Sequence, residues 1–110
     1  MDGREERLAR NEATAREINE GIEDSGAADG TDIIRMMCEC GQLECVRVLA
    51  ITIAEYESVR RDPRNFAVTR GHVMPDVEEV VEETDRFVVV RKREGAPAEI
   101  AEEEDPRGDA

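Results

Sequence analysis

The sequence predicts a small α+β domain in which one antiparallel sheet packs against one capped helix. An N-terminal helix precedes this domain, and a disordered acidic C-terminal tail follows it. Short runs of Val and Ile separated by turn residues indicate antiparallel strands. A capping sequence in the middle of the chain indicates the helix. The last residues are acidic and lack a hydrophobic pattern, which is typical of a disordered tail.

We divide the chain of 110 residues into three parts. Residues 1–30 hold the N-terminal helix and a small polar linker, residues 31–95 form the α+β domain, and residues 96–110 form the tail. Aromatic side chains are only 3% of the chain, so the core depends on Val, Ile and Leu and buries a limited area. Small cores of this kind commonly recruit a metal ion or a partner.

The N-terminal helix is predicted over Glu5–Asp24. One face of this helix carries the apolar side chains Leu8, Ala15, Ile18 and Ile22. Glu12 and Arg16 stand four residues apart, so we place them as a favourable ion pair on the outside of the helix. The apolar stripe is too short for a coiled coil. We expect it to dock either on the domain or on a partner.

A β-hairpin is predicted around the cysteines. Ile33–Met37 reads as a short strand that leads into Cys38, and Val46–Ile51 reads as the strand that returns. Gly41 lies between them and allows a tight turn. The cysteines would then lie at the tip of this hairpin.

The clearest local signal predicts a helix over Ile53–Arg61. Thr52 and Glu55 have the spacing of a capping box, in which each residue bonds the backbone N–H of the other. Ile51 and Tyr56 have the spacing of a hydrophobic staple across the same helix start. A proline two residues beyond the helix ends it, because the residue before proline avoids the α conformation.

Three further strands are predicted after this helix. Asn65–Thr69 and Phe87–Arg93 are rich in β-forming residues. Residues 76–84 are compatible with helix or strand, and their three valines favour strand. Residues 84–86 would then turn the last two strands into a hairpin. The glutamates of this segment are predicted to form a solvated face: Glu78, Glu79, Glu82 and Glu83.

The cysteine cluster carries the strongest chemical signal. All three cysteines, Cys38, Cys40 and Cys45, fall within eight residues, and His72 is the one histidine of the chain. Three thiolates and one imidazole are the ligand set of a closed tetrahedral zinc site. Cys38 and Cys40 would face the same side of a strand, and Gly41 would let the chain return with Cys45. We therefore predict that these four side chains bind one structural zinc ion per chain, in a zinc-finger-like site.

Two other interpretations of the cluster remain. In the first, Cys40 and Cys45 form a disulfide and Cys38 is the attacking thiol. Reactive thiols need nearby positive charge, whereas Glu39 and Glu44 are negative and would raise the thiol pKa. In the second, the thiols are reduced, unliganded and partly buried, and the histidine is exposed. The ligand set favours metal binding over both.

Charge and targeting signals narrow the class of protein. The net charge of −13 argues against phosphate and nucleic-acid binding, which need a basic face, and against binding to an anionic membrane. It permits a basic protein partner. No signal peptide and no long apolar run is visible, so we expect a cytoplasmic protein. Thiols stay reduced in that compartment, which again favours metal binding over a structural disulfide.

The order of several motifs resembles a group of small uncharacterised actinobacterial proteins with a CxC…C…GHxxP pattern. The residues that carry the resemblance are Cys38, Glu39, Cys40, Cys45, Thr52, Glu55, Tyr56, Glu57, Val59, Arg60, Asp62, Pro63, Gly71, His72 and Pro75. The resemblance covers roughly Arg10 to Lys92 and implies a bacterial origin, and it implies no activity. The chain departs from the pattern at Val73, where an acidic residue is expected, which weakens any role for a carboxylate beside the histidine.

These observations predict a non-enzymatic, zinc-binding bacterial protein that acts as a regulatory or protein-interaction module. No catalytic residues are predicted, because Cys45 and His72 come without a motif for an oxyanion hole. The partner is expected to be a protein, basic in character, with no direct contact to nucleic acid or membrane. The first alternative is a thiol-based redox or metal sensor. The second is an acidic inhibitor that mimics nucleic acid.

Overall fold

The computed structural model describes residues 3–25, 33–42, 45 and 47–105. These residues form three helices and five strands. In chain order the elements are α1 (Gly3–Ser25), β1 (Ile33–Met37), β2 (Val48–Thr52), α2 (Ile53–Arg60), β3 (Asn65–Val68), β4 (Glu78–Glu83), β5 (Val88–Lys92) and α3 (Ala96–Glu103). The predicted α+β class is confirmed, and each predicted strand and helix is present with small shifts at its ends.

The strands form two antiparallel sheets, whereas a single sheet was predicted. Strands β1 and β2 pair as a hairpin with Ile33 opposite Thr52, and the second sheet has the order β3-β5-β4. Helix α2 begins at the residue directly after β2, so the chain leaves the hairpin before it can add another strand to it. The runs of β-forming residues predict each strand correctly, because they are local signals. They carry no information about which strands pair.

The core lies between the two sheets and helix α2. Its fully buried side chains include Met36, Leu49, Ile51, Tyr56, Phe66, Val68, Phe87 and Val90. The predicted capping box is present: the Glu55 N–H donates to Thr52 Oγ1 at 3.0 Å, and the Thr52 N–H donates to Glu55 Oε1 at 2.8 Å. The cap fixes the start of α2, and Ile51 and Tyr56 bury their side chains on either side of it.

Helix α1 packs on the domain through polar side chains as well as through Ala15 and Ile22 of the predicted apolar stripe, and that prediction is wrong at Ile18. Ile18 is 45% exposed, while Glu12, Arg16 and Asn19 are buried. The Arg16 guanidinium donates to the carbonyl oxygens of Pro63 and Asn65 and lies 3.7 Å from the centroid of the Phe66 ring. The two terminal nitrogens of Arg16 therefore donate to the domain, and Arg16 does not form the predicted surface pair with Glu12.

A buried ionic cluster joins α1 to the three-stranded sheet. The ammonium of Lys92 contacts the carboxylate of Glu12 and lies 2.5 Å from Glu78 Oε1. All three side chains are buried, so the prediction of a solvated face was wrong at Glu78. Glu78 lies opposite Lys92 in the β4–β5 register, which explains its burial. Burial raises the pKa of Glu12 to about 8, against the opposing charge of Lys92.

We expect Glu12→Gln to remove a pH-dependent loss of stability. Burial raises the pKa of Glu12 from 4.5 to about 8, so this group's contribution to stability is complete below pH 4.5 and is lost as the pH rises through about 8. Glutamine resembles the protonated carboxyl. The free energy of unfolding, measured in urea, should therefore rise in the variant relative to the wild type as the pH increases from about 5 to 9. Thr14→Ala, on the exposed face of the same helix, removes no titratable group and should show a constant difference. The same constant difference for Glu12→Gln would contradict the prediction.

Residues 96–103 form helix α3, so the prediction of a disordered tail was wrong for this segment. Gly95 has a φ of 101° and Pro97 lies in the first turn, both of which suit a helix start. Ala98, Ile100 and Ala101 are buried, and the glutamates lie on the exposed face. The acidic composition of the segment concealed this spacing of small apolar residues. Residues 106–110 of the predicted tail lie outside the described residues.

None of the helices in the described part of the chain is long and apolar enough to span a membrane.

Candidate metal centre

The four predicted ligand side chains come together in the structure. The Sγ atoms of Cys38, Cys40 and Cys45 and a ring nitrogen of His72 all lie within 4.8 Å of one another. Cys38 and Cys40 are buried, and Cys45 and His72 are partly exposed. Among the described residues, this is the one group of His, Cys, Asp and Glu side chains close enough to share an ion.

The β1–β2 hairpin supplies the three thiols. Strand β1 ends just before Cys38, whose N–H donates to the carbonyl oxygen of Arg47 at 3.0 Å. Gly41 follows with a φ of 79°, a left-handed conformation that side chains other than glycine rarely adopt. The N–H of Cys45 then donates to the carbonyl oxygen of Gln42 at 3.0 Å. This turn returns the chain and places Cys45 beside the other two thiols.

The loop after β3 supplies the imidazole. Gly71 has a φ of 85°, and the His72 N–H donates to the carbonyl oxygen of Thr69 at 3.1 Å, so the chain makes a tight turn. The turn directs Nδ1 of His72 at the cluster. Nδ1 lies 3.5 Å from Cys38 Sγ and 3.5 Å from Cys45 Sγ.

Strand β3 and the cysteine loop are joined by hydrogen bonds. The Glu39 N–H donates to the carbonyl oxygen of Ala67 at 2.8 Å, and the Ala67 N–H donates to Glu39 Oε1 at 3.0 Å. The Thr69 N–H donates to Cys38 Sγ at 3.2 Å, and Thr69 Oγ1 lies 3.4 Å from the same sulfur. Donors at a sulfur stabilise its thiolate form, as supporting groups around metal ligands do.

The two Sγ–Nδ1 distances match those of a tetrahedral site. Zinc bonds of about 2.3 Å to sulfur and about 2.0–2.1 Å to nitrogen place S and N about 3.5 Å apart, and both pairs are 3.5 Å apart. Hydrogen bonds to two sulfurs would instead have to share the one lone pair or the one N–H that Nδ1 offers, depending on the tautomer of the ring. A common ion accounts for both distances at once, and the arrangement can hold one.

Burial disfavours the thiolate forms of Cys38 and Cys40 when no metal is bound. It raises the pKa of Cys40 to about 12. It also raises the pKa of Cys38, against the hydrogen bonds from Thr69. The rise in thiol pKa was predicted, but its main cause is burial. The Glu39 carboxylate turns away from the sulfurs and accepts hydrogen bonds from Ala67 and Asn19, and Glu44 lies outside the described residues. Thiols with a raised pKa lack the thiolate that redox catalysis needs.

Sequence reasoning missed the supporting residues of this site. Thr69 was predicted only as the last residue of a strand, Asn11 occupies the remaining heptad position of the predicted apolar stripe, and no pattern singled out Asn19. The signal that could have revealed this contact is Asn11, a polar residue at a heptad position of the predicted apolar stripe. The cavity between α1 and the cysteine loop, about 140 Å³, reaches Cys38 and Cys45.

Comparison with known proteins finds no matching family model, no matching curated protein and no matching solved structure. The resemblance to the small actinobacterial proteins stays a prediction.

Proposed function

We propose that this protein is a non-enzymatic module whose fold is stabilised by one structural zinc ion and which acts by binding another protein. Cys38, Cys40, Cys45 and His72 are the proposed ligands. The observation that carries the proposal is the convergence of their four ligand atoms within 4.8 Å, with both Sγ–Nδ1 distances at 3.5 Å.

The chemistry of the donor set favours zinc. Thiolates are soft ligands, imidazole suits zinc equally, and a tetrahedral S₃N set is typical of structural zinc. Three thiolates and a neutral imidazole around Zn²⁺ leave a net charge of −1, which the two Thr69 groups at Cys38 help to stabilise.

A closed ligand set also supports a structural role. Catalytic zinc sites keep one position for water or substrate. Here four protein side chains fill a tetrahedral shell, so the ion activates no water. The proposed role of the ion is then to hold the fold that binds the partner protein.

The charge of the chain supports a basic protein as the partner. The net charge is −13, and strand β4 exposes Glu79, Glu82 and Glu83 together with Val80 and Val81. A surface of this kind attracts basic partners, and such binding weakens as salt rises.

A thiol-based redox or metal sensor is the second candidate. The observation in its favour is the mutual closeness of the three sulfurs, one of which, Cys45, is partly exposed. If the metal left, an oxidant could join two of them in a disulfide.

Metal content and thiol content separate the two candidates. Protein purified without chelator is expected to carry about one zinc ion per chain and, once unfolded in chelator, to show three free thiols. Elemental analysis and a thiol-specific reagent give the two numbers. Metal-free protein with one free thiol and one disulfide would favour the redox sensor and overturn the structural zinc site.

His72→Ala should weaken zinc binding without abolishing it, because three thiolates remain. We expect at least the 10- to 100-fold loss of affinity typical of a removed supporting group. Competition with a chromophoric chelator measures it. Asp76→Asn is the matched control. Asp76 is exposed on the same loop and offers the oxygen that would compete with His72 for the fourth position, but it lies outside the four-residue cluster. Unchanged affinity in His72→Ala, or a loss in Asp76→Asn, would assign the fourth position to another ligand.

A further inference from the structure

We propose that Asn19 and Asn11 of helix α1 are positioning residues for the metal centre, so that zinc binding and docking of α1 strengthen each other. The inference rests on the proposed zinc site and adds a regulatory consequence to it. Occupancy of the site would control how firmly the N-terminal helix is held.

Asn19 holds the backbone directly before the first ligand. Its Oδ1 accepts a hydrogen bond from the Met37 N–H at 2.7 Å, and its Nδ2 donates to the Met37 carbonyl oxygen at 2.9 Å. Asn19 is fully buried. Its amide thus pairs with Met37 as a neighbouring strand would, at the point where β1 ends and Cys38 begins.

Asn19 also holds the residue between two ligands. Its Nδ2 donates to Glu39 Oε2 at 2.9 Å, and the other oxygen of that carboxylate accepts the Ala67 N–H. Glu39 stands between Cys38 and Cys40 in the sequence. One carboxylate therefore ties the cysteine loop to α1 on one side and to β3 on the other.

Asn11 holds the backbone directly after the second ligand. Its Nδ2 donates to the Gly41 carbonyl oxygen at 3.0 Å. Asn11 and Asn19 are eight residues apart, about 12 Å along one helix face. Helix α1 therefore contacts the chain on both sides of the Cys38–Cys40 pair.

These contacts couple the helix to the ion. Zinc fixes the Cys38–Cys40 segment in one conformation, and α1 is complementary to that same backbone. When the ion leaves, no metal bonds fix the segment, and the hydrogen bonds from Asn11 and Asn19 lose a fixed target. Thermodynamic linkage requires the reverse as well: a docked α1 raises the affinity for zinc by the same factor.

Helix α1 is also held by contacts to other parts of the molecule. Arg16 bonds the segment before β3, Glu12 contacts Lys92, and Arg10 contacts Glu104. They hold the helix near the domain, so we expect loosening of α1 in the absence of zinc while the β3–β5–β4 sheet stays folded.

The test uses the full-length chain, with zinc alone as the probe. Asn19→Ala and, independently, Asn11→Ala should bind zinc about 10- to 100-fold more weakly than wild type. Val59→Ala is the control: Val59 is buried in α2, far from the cysteine loop in sequence, so the variant loses stability and should keep its zinc affinity. Amide exchange in residues 11–23 of the wild type should speed up on chelation, while exchange in β5 stays slow.

The outcomes separate this inference from the zinc site itself. A wild-type protein that binds no zinc would remove the proposed function. A wild-type protein that binds zinc, while both asparagine variants bind it equally tightly, would overturn the coupling alone. Two other results would also overturn it: an equal loss of affinity in Val59→Ala, or exchange in α1 that does not respond to chelation.

Discussion

Removal of zinc is expected to lower the free energy of unfolding of this protein by about 4 kcal/mol, relative to a free zinc concentration 1,000 times the dissociation constant. The reason is that the complete ligand set exists only in the folded chain, where the β1–β2 hairpin and the His72 loop meet. Urea unfolding in a zinc buffer and in excess EDTA measures the difference. A Cys38→Ser, Cys40→Ser double variant is the control, and EDTA should leave its stability unchanged. Coincident unfolding curves for the wild type would contradict a structural site.

The stabilisation by zinc should shrink as the pH falls. Burial raises the pKa of both Cys38 and Cys40, so these thiols are protonated at neutral pH and must each release a proton when zinc binds. Affinity should fall by about tenfold per pH unit for each proton displaced. The same urea experiment at about pH 6, 7 and 8 gives the slope.

Tyr56→Ala is expected to destabilise the protein by about 3 kcal/mol. The ring is fully buried in the core between α2 and the sheets, and its removal leaves a cavity. Chemical unfolding of the zinc-loaded protein measures the cost. Stability equal to that of the wild type would show that the ring lies outside the core.

Tyr56→Phe is the matched control for this substitution. The buried hydroxyl of Tyr56 has no hydrogen-bond partner among the described residues. A buried polar group without a partner costs free energy, so its removal should leave stability unchanged or raise it. A loss as large as that of Tyr56→Ala would mean that the hydroxyl, rather than the ring, carries the effect.

The elements with local signals were predictable from the sequence. The capping box of Thr52 and Glu55 needs only four residues, and the strands follow from runs of Val and Ile. The clustering of the four Cys and His side chains was predictable for a different reason. A chain with three cysteines in one cluster and a single histidine offers few other ways to complete a tetrahedral site.

The polar face of α1 was not predictable, because its partners are distant in sequence. Arg16 donates to carbonyl oxygens 47 and 49 residues away, and Glu12 forms an ion pair with Lys92. In isolation, a glutamate and an arginine four residues apart read as a surface pair. Only the tertiary fold supplies the groups that make their burial tolerable.

The pairing of strands and the third helix were missed for related reasons. The residue pattern of a strand does not indicate which strand it pairs with. The same pattern is therefore compatible with one sheet or with two. In α3, the acidic residues dominate the composition, while Ala98 and Ala101 provide a narrow buried face that matters only against α1 and the core.

X-ray absorption at the zinc edge measures the number and type of atoms bound to the metal. It therefore tests whether three cysteines and one histidine form a closed metal centre. The sample is full-length protein purified without chelator. We expect a first coordination shell of three sulfurs at about 2.3 Å and one imidazole nitrogen at about 2.0–2.1 Å, with no water oxygen. A protein without bound metal, or a shell with fewer than three sulfurs or with a water in place of the imidazole, would contradict it.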